Sequence, residues 1–90
     1  MLELNATTSF KKDYRRCVRR GCDMALLSAV VDTLRIPEPL PPEYRDHPLS
    51  GNYVKHRECH ILPDWLLIYR VSGKQLYLDR TGTHADLFKE

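Results

Sequence analysis

Hydrophobic positions along the chain follow two rhythms, helical in the first third and strand-like in the last. At 100° per residue, Phe10, Tyr14, Cys17 and Val18 share one stripe, while Lys11, Lys12, Arg15, Arg16, Arg19 and Arg20 cover the opposite half. This pattern predicts an amphipathic helix with a basic outer face. Thr7, Thr8 and Ser9 are candidate N-caps, and Gly21 suits the left-handed turn that ends a helix. Asp23 can cap a second helix whose apolar stripe is Leu26, Leu27, Val30, Val31 and Leu34, with Pro37 ending it. So short a connection predicts an antiparallel helical hairpin.

Residues 36–51 hold five prolines in 16 positions and read as a stiff, extended surface loop, barred from a sheet interior. Beyond it, VKHRECHIL alternates, with Val54, His56, Glu58, His60 and Leu62 on one face and Lys55, Arg57, Cys59 and Ile61 on the other. His56 is read as a solvated strand residue. Pro63-Asp64 predicts a turn, and the apolar run from Trp65 to Val71 a central strand covered on both faces. Ser72-Gly73 predicts a hairpin turn with a return strand over Gln75–Arg80. The tail RTGTHADLF suits an edge strand or a single helical turn, and Leu2-Glu3-Leu4 a short opening strand. The predicted fold class is α+β, an N-terminal helical hairpin packed on a small, mainly antiparallel sheet. The predicted organisation is a single domain over 1–90, without repeats or low-complexity tracts.

Charge changes this picture more than composition does. The formal net charge is only +2, with 14 basic and 12 acidic side chains. Residues 10–21 hold six of the basic ones against one acid, Asp13, leaving the other 78 residues with eight basic and eleven acidic side chains. Such a concentration of like charge repels itself and favours a polyanionic partner. No apolar run approaches the roughly 20 residues that span a bilayer, and the N-terminus lacks a secretory pattern. Three cysteines without a CxxC pair suit reduced thiols, so a cytoplasmic location without membrane association is expected.

Candidate chemistry centres on histidine. His47 lies in the proline-rich loop, His60 near a strand end beside Asp64, and His84 in the tail, all places where a scaffold presents functional groups. Phosphodiester cleavage through a ribose 2′-hydroxyl needs a base, an acid and a cation for the phosphorane charge. Histidines or a His/Asp pair supply the first two, and Arg80, Arg57 or Lys55 the third, with no metal or cofactor required. His56 and His60, four residues apart on a strand, are separated by about 13 Å, too far to share one ion. A site from His47, His60, Cys59 and His84 is disfavoured because Cys59 and His60 point to opposite faces.

Three segments carry a family resemblance: YRDHPLSG (44–51), RECHILPDWLLIYRV (57–71) and LDRTGTHADLF (78–88). In order and spacing they resemble the signature blocks of YafQ-like toxins in the RelE/ParE superfamily. The resemblance covers essentially the whole chain and departs only at Asn52-Tyr53, in a variable stretch. It implies a RelE-like fold and a ribosome-dependent messenger-RNA endoribonuclease in which His47, His60, Asp64 and His84 form the catalytic cluster. His84 is then the expected general acid, Asp64 with His60 the base pair, and His47 a group that orients the phosphate. Arg80 is expected to stabilise charge, and Trp65 and Phe88 to shape the substrate pocket, although both also suit core positions. The basic residues Lys11, Lys12, Arg15, Arg16, Arg19 and Arg20 are expected on ribosomal RNA. The resemblance further implies a cognate antitoxin of ribbon–helix–helix type, through which alone operator DNA is bound. Two other readings use no nuclease chemistry: a ParE-like gyrase poison, and a nucleic-acid-binding regulatory module.

Overall fold

The computed structural model describes residues 1–88, in the order β1 (Glu3–Ala6), α1 (Thr8–Arg19), α2 (Met24–Arg35), β2 (His47–Pro48), β3 (Arg57–Leu62), β4 (Trp65–Ser72), β5 (Gln75–Gly82) and α3 (His84–Phe88). Lys89 and Glu90, which the predicted domain 1–90 includes, lie outside the described residues. The five strands form one sheet in the order β1-β5-β4-β3-β2. Only β1 runs parallel to its neighbour β5; the other pairs are antiparallel.

Local chemistry sets the ends of the helices. Thr7 Oγ1 accepts the Phe10 amide at 3.1 Å to open α1, and Asp23 Oδ1 accepts the Ala25 amide at 3.1 Å to open α2. Between them Gly21 sits at φ +76°, its amide bonding Val18 O while the Cys22 amide bonds Cys17 O. This is the paired closure of a Schellman motif, and it reverses the chain within four residues.

Alternation along the strands sorts side chains onto two unequal faces. Cys59, Ile61, Trp65, Leu67, Tyr69, Leu76 and Leu78 face the helices and pack with Phe10, Cys17, Leu27, Val30, Val31 and Leu34. On the other face Leu66, Ile68 and Leu87 form a smaller apolar floor, joined by Leu49, Tyr53 and Phe88. A β-bulge interrupts β4–β5: Tyr69 opposes Leu78 but Ile68 opposes Arg80, so Asp79 is the extra residue. Past it, Arg80 lies over the floor and Thr81 toward the helices.

The structure corrects several expectations. In α1 the buried positions are Phe10, Asp13 and Cys17, while Tyr14 and Val18 are 41% and 52% exposed. The inward stripe is rotated toward the one acid because Asp13 is fully satisfied there, as described below. Leu26 of α2 is likewise exposed. The proline-rich segment does enter the sheet, as the two-residue edge strand β2; Pro48 is tolerated there because an edge strand has one unpaired side. The next strand starts at Arg57 rather than Val54, since Gly51–Tyr53 form a 3₁₀ turn and Lys55 adopts φ +72°. His56 is therefore not a solvated strand residue: its Nε2 lies 2.9 Å from Asp79 Oδ2 and its ring meets Tyr53 edge-on. The tail resolves into β5 reaching Gly82, then one short helix.

Candidate active site

Cross-strand register brings the candidate residues together. His47 opposes Glu58, Glu58 opposes Ile68, and Ile68 opposes Arg80, giving one row across four strands. The next row is His60, Leu66 and Gly82. Each member of a row points to the same side, so His47, His60 and Arg80 leave their strands on the face away from α1 and α2, and the long Arg80 side chain bends back at the sheet edge to Asp13 of α1.

Within this face three imidazoles follow one another. Ring centroids of His47 and His60 are 6.4 Å apart, and those of His60 and His84 are 5.8 Å apart. His47 reaches the group because its neighbour Asp46 is anchored on the opposite side by the Tyr69 hydroxyl at 2.7 Å and Arg57 Nε at 3.1 Å. Burial and the Asp46 carboxylate push the Tyr69 hydroxyl well above its ordinary pKa, so it remains a donor. His84 reaches the group because α3 begins with a reciprocal capping box. Asp86 Oδ2 accepts the Thr83 amide at 3.0 Å, and Thr83 Oγ1 accepts the Asp86 amide at 3.1 Å.

Two carboxylates order the imidazoles. Asp64, in the β3–β4 turn, takes the His84 backbone amide at 2.9 Å and lies 2.5 Å from its Nδ1. Those two N–H groups hold the Asp64 carboxyl below its ordinary pKa, backbone first. Glu58, buried to 5% exposure, lies 3.3 Å from Nε2 of both His47 and His60. A carboxylate so buried requires partners, and the two ring nitrogens provide them. The expected base pair of Asp64 with His60 is thus re-sorted: Asp64 serves His84, and Glu58 serves His60. Glu58 was absent from the expected cluster, although its place two residues before His60 on one strand face signals it.

Arg80 also stands on this face, partly buried and beside Tyr53, whose ring packs edge-on against Phe88 at 6.0 Å between centroids. Phe88 therefore borders the histidine side of the sheet. Trp65 does not: it is 6% exposed within the helix-side core, and its Nε1 donates to Thr81 Oγ1 at 2.9 Å. An indole at the strand start belongs to the opposite sheet face from Leu66, which accounts for the misplacement.

The basic helix divides in two. Lys11, Lys12, Arg15 and Arg19 are exposed. Arg16 bonds Asp13 Oδ1 at 3.0 Å, and Arg20 bonds Asp86 through both terminal nitrogens at 2.6 and 3.1 Å. The absence of compensating acids in the local sequence is thus answered by Asp86, 66 residues away from Arg20.

His47, Glu58 and His60 each offer one ligand atom within 4.8 Å of the others, a set that could grip a transition-metal ion. Cys59 is no part of it, being fully buried under the helices with its thiol pushed up to about 12 by burial. No helix of the described residues is long and apolar enough to cross a membrane.

Known proteins share this fold. Residues 2–89 match the family described as YafQ, bacterial toxin of type II toxin–antitoxin systems. The mRNA interferase toxin YafQ of Escherichia coli K12 is 41% identical over 88 residues, 96% of this chain and 95% of that one. A copper-bound mutant toxin from Helicobacter pylori superposes with a TM-score of 0.94 at 45% identity, covering 98% of this chain and 100% of that one. The toxin in the E. coli DinJ–YafQ complex superposes with a TM-score of 0.90 at 38% identity, covering 98% and 99%. With the histidine blocks, the sheet order and the helical pair all in place, the chain belongs to the YafQ family of bacterial toxins of type II toxin–antitoxin systems.

Proposed function

We propose that this chain is a messenger-RNA endoribonuclease toxin that cuts ribosome-bound message by acid–base chemistry through the ribose 2′-hydroxyl. The observation that carries this reading is the presence of two carboxylate–imidazole pairs, Asp64–His84 and Glu58–His60, with imidazole centroids 5.8 Å apart on one open face. One pair can take the 2′-proton while the other protonates the departing 5′-oxygen. Asp64 engages Nδ1 of His84 and leaves its Nε2 toward solvent, which suits His84 as the general acid. His60, beside Glu58, is the base, His47 orients the phosphate, and Arg80 stabilises its developing charge. All of these groups come from the chain itself. Phe88 and Tyr53 border the same face and suit contact with a nucleoside.

The openness of the site supports ribosome dependence. Among the described residues the three imidazoles stand on an exposed face, so we assign in-line positioning of the substrate to a larger body, and the exposed Lys11, Lys12, Arg15 and Arg19 offer contacts to its RNA. A cognate antitoxin, as in the DinJ–YafQ complex of the relative, holds the toxin inactive. We assign that antitoxin to the ribbon–helix–helix type, with operator DNA bound only through it and the toxin acting in the cytoplasm. Cell-free translation of a reporter, with primer extension mapping the ends, tests the reading. Discrete cuts that need ribosomes and vanish in His84→Ala are expected. Blocked synthesis without cuts would instead indicate a non-enzymatic toxin on the same fold.

A further inference from the structure

Asp13 is the one acid in the basic segment, and the chemistry above makes no use of it. It is 2% exposed, yet four donors converge on it. Arg80 Nε and Nη2 approach Oδ2 and Oδ1 at 2.6 and 3.3 Å, Arg16 Nη2 approaches Oδ1 at 3.0 Å, and the Thr81 amide approaches Oδ2 at 3.2 Å. The last contact explains the location. Strand β1 pairs with β5 only through Leu78, leaving the upper part of β5 without a neighbouring strand on that side. Asp13 fills that place for the Thr81 amide, which a buried donor requires.

The same carboxylate is a link in a chain of alternating charge, Arg20–Asp86–Arg16–Asp13–Arg80, joined at 2.6, 3.6, 3.0 and 2.6 Å. Its assembly is tight enough to exclude a side chain at Gly82. A Cβ there would stand 2.8 Å from Asp86 Oδ2 and 3.0 Å from Arg16 Nη2, and the residue has φ +153°. The chain thus crosses from the basic helix to the face that carries the histidines.

We propose that Asp13 is a positioning residue for the cleavage reaction, holding the Arg80 guanidinium over the histidine face so that it meets the scissile phosphate. This rests on the nuclease reading. Arg80 is a long side chain on a strand, and without a partner it would sample several rotamers; the grip on its Nε–Nη2 edge fixes the plane and turns Nη1 away from Asp13. Transition-state stabilisation by a cation depends on such preorganisation. Asp13 itself is screened from substrate by Arg80 and acts only through it.

The test is a double-mutant cycle in cell-free translation with programmed ribosomes, comparing wild type, Asp13→Asn, Arg80→Ala and the pair. Asp13→Asn is expected to lower kcat by about 10- to 100-fold, with the apparent KM for ribosomes changed by no more than about threefold. In the Arg80→Ala background the same substitution should change the rate by less than about twofold, because the group it positions is gone. Losses that multiply across the cycle, or full activity in a folded Asp13→Asn, would overturn the inference while leaving the nuclease reading intact. A wild-type chain that cuts nothing on ribosomes would overturn the nuclease reading instead. A second measurement needs no variant: the Arg80 Nε–H of ¹⁵N-labelled wild type should exchange slowly with solvent. Exchange as fast as that of the exposed Arg15 would show the guanidinium free and refute the positioning role.

Discussion

Asp64 accepts both the backbone amide of His84, at 2.9 Å, and its Nδ1, at 2.5 Å, so one carboxylate fixes the start of a helix and the aim of its imidazole. Both side chains are substantially exposed, which separates their chemistry from the stability of the fold. His84→Ala is therefore expected to lower the cleavage rate by about 10²- to 10⁴-fold, as loss of an acid–base group typically does. The thermal transition should move by no more than a few degrees. Primer extension and calorimetry on the same preparations check the two halves.

The depressed pKa of Asp64 has a pH consequence. Its folded value lies below the unfolded one, so the carboxylate and its hold on His84 persist through the mildly acidic range and fail only as pH falls through the folded value. An acidic limb in the rate profile between pH 5 and 7 should then survive in Asp64→Asn, although the overall rate is lower. Disappearance of the limb in that variant would assign it to Asp64.

Glu58 is a different case, because it is buried beneath His47 and His60. Glu58→Gln keeps the shape and loses the charge, and a marked loss of activity with a folded chain is expected. Glu58→Ala removes the acceptor altogether and should cost about 1–3 kcal/mol in denaturant unfolding, the usual consequence of stranding buried hydrogen-bonding groups.

Asp86 tests the sign of linkage at the other end of the charge chain. Arg20 and the Thr83 amide hold its carboxyl far below the ordinary range. The stabilisation is therefore fully present above the unfolded pKa of roughly 4, begins to decline below it and is lost completely only as pH falls through the much lower folded value. Asp86→Asn should show its largest deficit at neutral pH, about 1–3 kcal/mol for a charge-assisted site, and a smaller but persisting deficit at pH 3. Urea melts at pH 7 and pH 3 decide it.

The two halves of the basic helix should separate experimentally. Arg15→Glu with Arg19→Glu is expected to leave the melting temperature within a few degrees while weakening ribosome association and flattening its salt dependence. Arg16→Ala removes a partner of Asp13 and Asp86 and should destabilise the fold.

Chelation offers a check on the metal-free scheme. Cleavage should continue in EDTA, whereas copper(II) or zinc(II) should inhibit by occupying His47, Glu58 and His60. Loss of activity on chelation, restored by metal, would refute the scheme.

The ends of both helices, the strand faces around Cys59 and His60, and the three histidine blocks were legible in the sequence, because each depends on neighbours within a few residues. The inward turn of Asp13 was not, because its donors Arg80 and Thr81 lie 67 and 68 residues away and a hydrophobic wheel scores only apolar character. Strand β2 escaped notice for a related reason: a two-residue edge strand with a proline has no periodicity of its own and exists through its pairing with β3. Trp65 was expected at the pocket from the family resemblance alone, but next to Leu66 on one strand it takes the opposite, helix-side face of the sheet.

The bulge at Asp79 sets a rule for length variation in this chain. It shifts the parity of β5: Leu78 and Arg80, two residues apart, stand on opposite faces, and a flat strand of the same length would set Arg80 against Leu67, turned inward among the apolar side chains. A strand one residue shorter between Leu78 and Arg80 would keep the guanidinium among the histidines without a bulge, whereas this chain keeps it there only by leaving Asp79 unpaired.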